Sequence, residues 1–360
     1  MIKIKGHAPF LFVSLVYTEN MNKQLSEGLL LNEKGDLNEA GFSLSLVKQY
    51  QRSQIHGLKW RIKEWDYYYI GNQEYGLCLT ISDVSFLALI SVTFLDFRTN
   101  ERPAKTYLKP FTFGKIGLPS SSKEGDVSFK NKQCEISFVH ENGKRHLKAN
   151  LKQFVTGKDL IADVVLEETQ KDTIVVATPF FKKRHFYYNQ KINLMQANGY
   201  VKIGENYYDL SENTYGLLDW GRGVWTYKNT WYWSSLNSVY QGHRIGFNLG
   251  YGFGDTSTHS ENIFYYDGKS YKLEDVEFQI PVDNKGKDDY MSPWKFVSKS
   301  GDINLTFHPV INRHDDTNVL IIRSKQNQVF GLFSGYFVVE GKKIEFKDLM
   351  GFAEKVYNRW

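Results

Sequence analysis

Residues 218–251, LDWGRGVWTYKNTWYWSSLNSVYQGHRIGFNLGY, decide how the chain is read. Two runs rich in aromatic and β-branched residues flank the polar turn Gln241-Gly242-His243, the pattern of a β-hairpin. Half of the chain's eight tryptophans stand here, at Trp220, Trp225, Trp231 and Trp233. Asp219 and Arg222 lie among them, beside the small residues Gly221 and Gly223. A carboxylate and a guanidinium among large rings make the most site-like composition in the sequence.

The same punctuation recurs outward from this stretch. WRIKEWDYYYI, residues 60–70, runs into a turn at 71–74 and a strand at 75–81, and the apolar run 84–97 reads as a further strand. Asn142-Gly143 is a two-residue hairpin signal between 135–139 and 146–149. Asn198-Gly199, Asp267-Gly268 and Glu340-Gly341 repeat it. Short strands are also predicted at 111–118, 127–131, 160–166 and 173–176. Residues 32–36 form a turn, and 41–51 hold a short helix or an extended arm. Many short strands with regular turns predict an all-β, mainly antiparallel protein of sandwich or barrel type. One helix is expected, over 345–357, where Phe346, Leu349, Met350, Ala353 and Val356 fall near one helical face. The run 65–68 leading to 77–80 resembles 231–234 leading to 245–249, which suggests two similar β-domains in tandem. They are placed at 21–185 and 186–360, with 1–20 as a poorly ordered extension.

A chain of 360 residues suits two domains. A hydrophobic fraction of 41% with 16% aromatic excludes general disorder. The net charge of +5 is spread among acids, far from the basic footprint of a nucleic-acid domain, so no nucleic acid is expected as partner. The basic clusters 144–146 and 182–185 read as solvated strand edges. Cys78 and Cys134 do not make a disulfide framework and point to a reducing compartment, so a cytoplasmic location is expected. The apolar patch at 9–16 is short and lacks a cleavage pattern. The run 84–97 falls short of the roughly 20 residues that span a bilayer. No transmembrane segment is expected, and peripheral membrane contact stays open. His308 and His314 with Asp315-Asp316 match no metal-ligand spacing. Residues 250–254 are glycine-rich but precede polar residues rather than a helix, unlike a phosphate loop. Neither metal nor cofactor is expected.

RIKEWDYYYI at 61–70, KKRHFYYNQKIN at 182–193, LLDWGRGVWTYKNTWYWSS at 217–235 and the ending Gly351-Phe352-Ala353-Glu354 with Arg359-Trp360 together resemble the bacterial domain-of-unknown-function 2804 family. The resemblance runs from about residue 21 to the end. More distantly, Asp219-Trp220-Gly221, Trp231-Tyr232-Trp233 and the final Gly-Phe-Ala-Glu are similar to motifs of the tandem-lipocalin group that includes carotenoid hydratase and tocopherol cyclase. The resemblance implies two lipocalin-like barrels side by side with an apolar cavity. One departure stands out: in the hydratase motif a His follows the Asp, where this chain has Trp220, and with it goes the natural proton carrier.

Three functions fit these residues. The first is binding of an apolar or amphipathic small molecule, a lipid or isoprenoid, in an aromatic-lined cavity. The second is a hydratase, cyclase or isomerase that protonates a carbon–carbon double bond with a buried carboxylic acid. The third is a sugar-binding or sugar-processing β-protein. Asp219 and Glu354 are the candidate catalytic acids, with Asp255 and Glu261 as further acids, and His259 and Tyr251 as candidate proton relays. Trp65, Trp220, Arg222, Trp225, Trp231 and Trp233 are expected to bind ligand, together with Asn248, Tyr251, Asp255, His259 and His185. Against this, Arg222 could simply pair with Asp219, and Asp66 with Arg61 or Lys63 across strands.

Overall fold

A computed structural model describes residues 22–57, 59–319 and 322–359. The extension expected at 1–20 lies outside them, as does Trp360. Two antiparallel sheets account for most of the chain. In the first, of 13 strands, neighbours run in the order Ala104–Pro110, Leu87–Asp96, Tyr75–Asp83, Ile62–Gly71, Tyr215–Val224, Phe186–Ile203, Lys158–Glu167, Lys144–Val155, Cys134–Glu141 and Val127–Lys130. Gly41–Ser43, Ile174–Pro179 and Asn206–Asp209 attach off this path. The second, of nine strands, runs Lys269–Lys272, Ile263–Tyr266, His243–Tyr251, Lys228–Tyr240, Lys342–Arg359, Ile322–Val339, Ile303–Val319, Trp294–Val297 and Glu277–Gln279.

Each sheet curls into a half-barrel around side chains of one face. Ile62, Tyr68, Ile90, Leu147, Val164, Leu218 and Trp220 belong to the first interior. The second is filled by rings, among them Phe247, Phe264, Trp294, Phe296, Phe307, Phe333 and Phe337. These rings pack directly on one another, as Phe264 does on Phe337 at 4.2 Å and Phe307 on Phe333 at 4.5 Å. Two further clusters lie between the sheets. One joins Tyr67, Tyr69, Cys78 and Leu217 to Trp233, Phe330, Met350 and Phe352. The other joins Val176, Tyr187 and Leu194 to Trp225, Phe253 and Tyr265. Strand alternation explains this: in Ile62–Gly71, even positions enter the barrel and odd positions, Trp65, Tyr67 and Tyr69, face the second sheet. Hydrogen bonds from Asn193 to Ser235 (2.8 Å) and from the Leu194 N–H to Asn237 (2.8 Å) tie the seam.

The halves share a topology. The first long strand of each, Ile62–Gly71 and Lys228–Tyr240, forms a hairpin with the next strand and also pairs with the last strand of its sheet, Tyr215–Val224 or Lys342–Arg359. The chain passes from one sheet to the other at 225–227, just after Tyr215–Val224. The boundary expected at 185/186 falls inside the first sheet, where Ile174–Pro179 and Phe186–Ile203 are antiparallel partners. The basic stretch 182–185 is the turn between them.

The expected C-terminal helix is instead the strand Lys342–Arg359, paired on both sides. An irregularity near Asp348, whose φ is +56°, adds one residue to the alternation. Ile344 and Phe346 enter the barrel before it, and Leu349 and Ala353 after it. That spacing imitates a helical face. Residues 111–118, expected as a strand, form a loop with left-handed conformations at Phe111, Phe113, Gly114 and Gly117, and the Asp83 carboxylate accepts the Gly114 N–H at 2.9 Å. The short-helix option for 41–51 gives way to the strands Gly41–Ser43 and Lys48–Gln49. Cys78 and Cys134 are buried free thiols.

Phe333 stands fully buried in the second barrel, 4.5 Å from Phe307 and 5.2 Å from Phe247, centroid to centroid. Phe333→Ala is expected to cost about 3–5 kcal/mol, read from urea denaturation.

Candidate functional site

The side chains that face the seam enclose a cavity of about 110 Å³. Trp65, Tyr187, Lys191 and Asp219 come from the first sheet, Trp225 from the connection, and Trp231, Trp233, Phe253, Glu261 and Glu354 from the second half. Three carboxyls and one ammonium therefore meet among six rings.

The rings hold one another at fixed angles. Trp65 stacks on Tyr187 at 6.0 Å and meets Trp225 edge-on at 5.2 Å. Phe253 meets Tyr187 at 4.7 Å, Trp225 at 4.8 Å and Trp231 at 5.0 Å. Gly221 makes room for Trp65, since a Cβ there would fall inside the indole.

The charged groups form two unequal halves. Lys191 Nζ lies 2.8 Å from Asp219 Oδ1, which also accepts the Asn189 Nδ2 donor at 2.6 Å. The ammonium sits over the Trp233 ring at 3.9 Å. Glu354 Oε1 accepts the Trp231 indole N–H at 2.9 Å, and its Oε2 accepts from Gln328 Nε2 at 3.2 Å. Asn248 donates to Glu261 Oε2 at 3.2 Å and accepts the Trp233 N–H at 2.7 Å. Register makes Asp219 and Glu354 counterparts. Asp219 pairs with Tyr67 and Lys191, and Glu354 with Trp233 and Gln328. The first half thus supplies its acid with a cation, and the second supplies a neutral amide.

Electrostatics follow from that difference. Burial raises the Glu354 carboxyl to about 7, only partly opposed by the Trp231 hydrogen bond and Lys191, with Asp219 adding to the rise. Burial also raises Glu261. Of the three acids that share one ammonium here, Glu354 and Glu261 are held toward the protonated form by burial.

Alternation separates the predicted residues. Asp219 faces the seam, so Trp220 and Arg222 point the other way, into the first barrel. Arg222 pairs there with Asp66 at 2.9 Å, lies against the Trp220 ring at 4.2 Å and donates to the Trp65 and Pro119 carbonyls. The Asp219–Arg222 pair does not form, and neither Trp220 nor Arg222 reaches the cavity, which Asp219 does line. Asp66 faces inward with Arg222, on the opposite side of its strand from Lys63. Trp65, Trp225, Trp231 and Trp233 line the cavity, with Asn248 just behind it.

Tyr251 and His259 instead line a second hollow of about 400 Å³, beside Val276 and Glu277. His259 is bound between Thr178 Oγ1 (2.8 Å) and Thr258 Oγ1 (3.0 Å), and burial lowers it to about 4. Asp255 accepts the Ser257 N–H at 3.1 Å in a turn, and His185 Nδ1 bonds the Lys183 carbonyl at 2.8 Å. These residues do not join the cavity. Lys191 and Gln328 were absent from the sequence reading. The alternation Tyr187, Asn189, Lys191 was the available signal for the first; for Gln328 there was none.

Among the described residues no group of three or more His, Cys, Asp or Glu is placed to hold a metal ion, and no helix is long and apolar enough to cross a membrane. His314 Nδ1 bonds Asn327 Oδ1 at 2.9 Å.

The chain belongs to the family described as domain of unknown function (DUF2804), whose sequence profile matches residues 20–360. A search of curated protein sequences finds no significant match. Among solved structures, one assigned to AttH from Nitrosomonas europaea is similar at 11% identity and a TM-score of 0.51, over 87% of this chain and 98% of that one. Kievitone hydratase from Nectria haematococca is similar at 12% identity and a TM-score of 0.49, over 92% and 98%. The first likeness establishes the fold as tandem lipocalin-like.

Two outcomes are expected. The unfolded chain ionises Glu354 near its ordinary 4.5, while the folded chain keeps the proton to about 7. Stability is therefore lost as pH rises between those values, by roughly 3 kcal/mol in full. Urea midpoints should fall across this window and fall less in Glu354→Gln. Gly221→Ala should destabilise by about 1–3 kcal/mol and alter tryptophan emission as Trp65 is displaced.

Proposed function

We propose that the cavity between the sheets takes the reactive end of an apolar or amphipathic small molecule and that Glu354 donates a proton to it. One observation supports this above others. Two glutamic acids, Glu354 buried and Glu261 half-buried, face a small aromatic chamber in which the ammonium of Lys191 is already committed to Asp219. A carboxylic acid kept neutral near physiological pH by burial is a competent proton donor.

Protonation of a carbon–carbon double bond would leave a cation in the substrate and a carboxylate on Glu354. Ring faces stabilise such a charge by about 2 kcal/mol per well-placed desolvated ring. Lys191 over Trp233 illustrates that this site uses its rings for positive charge. Return of a neighbouring proton to Glu354 gives an isomer. Addition of water, with the surplus proton returned to Glu354, gives an alcohol. The reaction class is isomerisation or hydration.

Volume limits the ligand. The cavity of about 110 Å³ is smaller than one of about 150 Å³ that holds benzene, and well below drug-sized pockets of about 300 Å³ or more. A ring edge or branched terminus fits, and the rest of a lipid or isoprenoid would lie outside. A second reading, binding without chemistry, is supported by the donors already on both Glu354 oxygens. The sugar reading needed an open aromatic groove, and these rings are largely buried.

Native mass spectrometry after incubation with lipid and isoprenoid mixtures, followed by organic extraction, tests both. A bound apolar molecule with reduced occupancy in Trp231→Ala is expected. Glu354→Gln should retain the molecule but lose its conversion by at least 100-fold, the order of a general acid's contribution. Conversion at the wild-type rate in Glu354→Gln defeats proton transfer and leaves binding. A bare protein mass throughout defeats both.

A further inference from the structure

We infer that the outer edge of the first half-barrel, around Phe111 and Phe113, is a docking face for an anionic lipid bilayer. Single exposed apolar residues are ordinary, but a contiguous group rimmed by polar residues marks an interaction surface. Phe111 is 69% exposed and Phe113 47%, with their rings stacked at 6.4 Å. Leu108, 59% exposed, adjoins them on the edge strand, and its register partner is the half-buried Leu89. Trp60, 45% exposed, is brought to the same end by Ser85. The Ser85 hydroxyl donates to the Lys59 carbonyl at 2.8 Å, while its own carbonyl accepts the Phe113 N–H at 2.7 Å.

Charge selects the partner. From Ala104 to Lys123 the sequence has Lys105, Lys109, Lys115 and Lys123 and no acid, in a chain otherwise balanced at 45 basic against 40 acidic residues. Asp83, the acid nearest this loop, is buried and engaged with the Gly114 N–H. Lys59, Lys109 and Lys115 are exposed. Lysines alone would suit edge protection. Exposed phenylalanines at the loop tip do not serve that end, whereas rings set among lysines match the boundary of a membrane with anionic headgroups. The face also communicates with the cavity. Trp65, Ser82, Leu89 and Leu108 form one cross-strand row, and Trp65 lines the chamber.

Co-sedimentation of the full chain with phosphatidylcholine vesicles, and with the same vesicles containing phosphatidylserine, provides the test. Binding to the anionic vesicles alone is expected, weakening as salt is raised. Lys109→Gln with Lys115→Gln should weaken it by roughly 30-fold, and Phe111→Ser with Phe113→Ser by at least about tenfold. Unchanged melting temperatures would confirm that both variants fold. Absence of binding, equal binding to neutral vesicles, or binding unaffected in both variants overturns the inference. Self-association in solution that the phenylalanine variants abolish also overturns it, and assigns the face to a second copy of the chain.

Discussion

Each half of this protein is a sheet with two apolar faces, and only one of them can be satisfied by curling. The other must be covered by something else. In this chain it is covered by the partner half, and that mutual burial governs the rest. It sets which residues of each strand are inside a barrel and which meet at the seam. Acids carried to the seam by strand alternation are then desolvated, because large rings on the opposing sheet exclude water from around them. A carboxyl on the outside of an isolated barrel would be an unremarkable surface charge. Between two barrels it becomes a group whose protonation is set by its neighbours.

The pairing of like halves gives this site a built-in comparison. Asp219 and Glu354 occupy equivalent places on the last strand of each sheet, and the cross-strand neighbour that contacts each carboxylate is a lysine for the first and a glutamine for the second. Lys191 neutralises the first, whereas Gln328 offers the second a hydrogen bond without charge. One acid is thus held in an ion pair, and the other is a carboxyl that burial keeps toward its protonated form. Gln328 is itself anchored, accepting from Tyr67 across the seam and from Arg313 at 3.0 Å.

Much of this was legible from the residues. Hairpin punctuation gave the all-β architecture, and aromatic density drew attention to Trp225, Trp231 and Trp233. Period-2 alternation, applied strictly, would also have separated Asp219 from Trp220 and Arg222. Composition alone had put them together, because adjacency in sequence means opposition in a strand. The terminal strand was misread because the irregularity at Asp348 converts a 2-residue period into a spacing that suits a helix. The place of the cavity was not legible at all. It depends on which sheet faces meet, and that is fixed by contacts between residues far apart in the chain. Nor could composition show which rings pack the second core and which line the seam cavity.

That distance along the chain bears on how the protein comes into being. Trp231 and Glu354 are 123 residues apart in sequence, and Arg222 and Asp66 are 156 apart. Contacts of such separation form slowly, since the loops they close cost entropy before the contact repays it. The strand that carries Glu354 sits between Lys228–Tyr240 and Ile322–Val339, so the second sheet is split in two until it inserts. Until then the ring-bearing seam faces of both halves are open to water and to other molecules, the state in which large β-proteins associate wrongly. The one strand that joins the two parts of the second sheet is also the one that brings Glu354 to the chamber. Without that strand paired on both sides, neither a continuous second sheet nor the chamber exists.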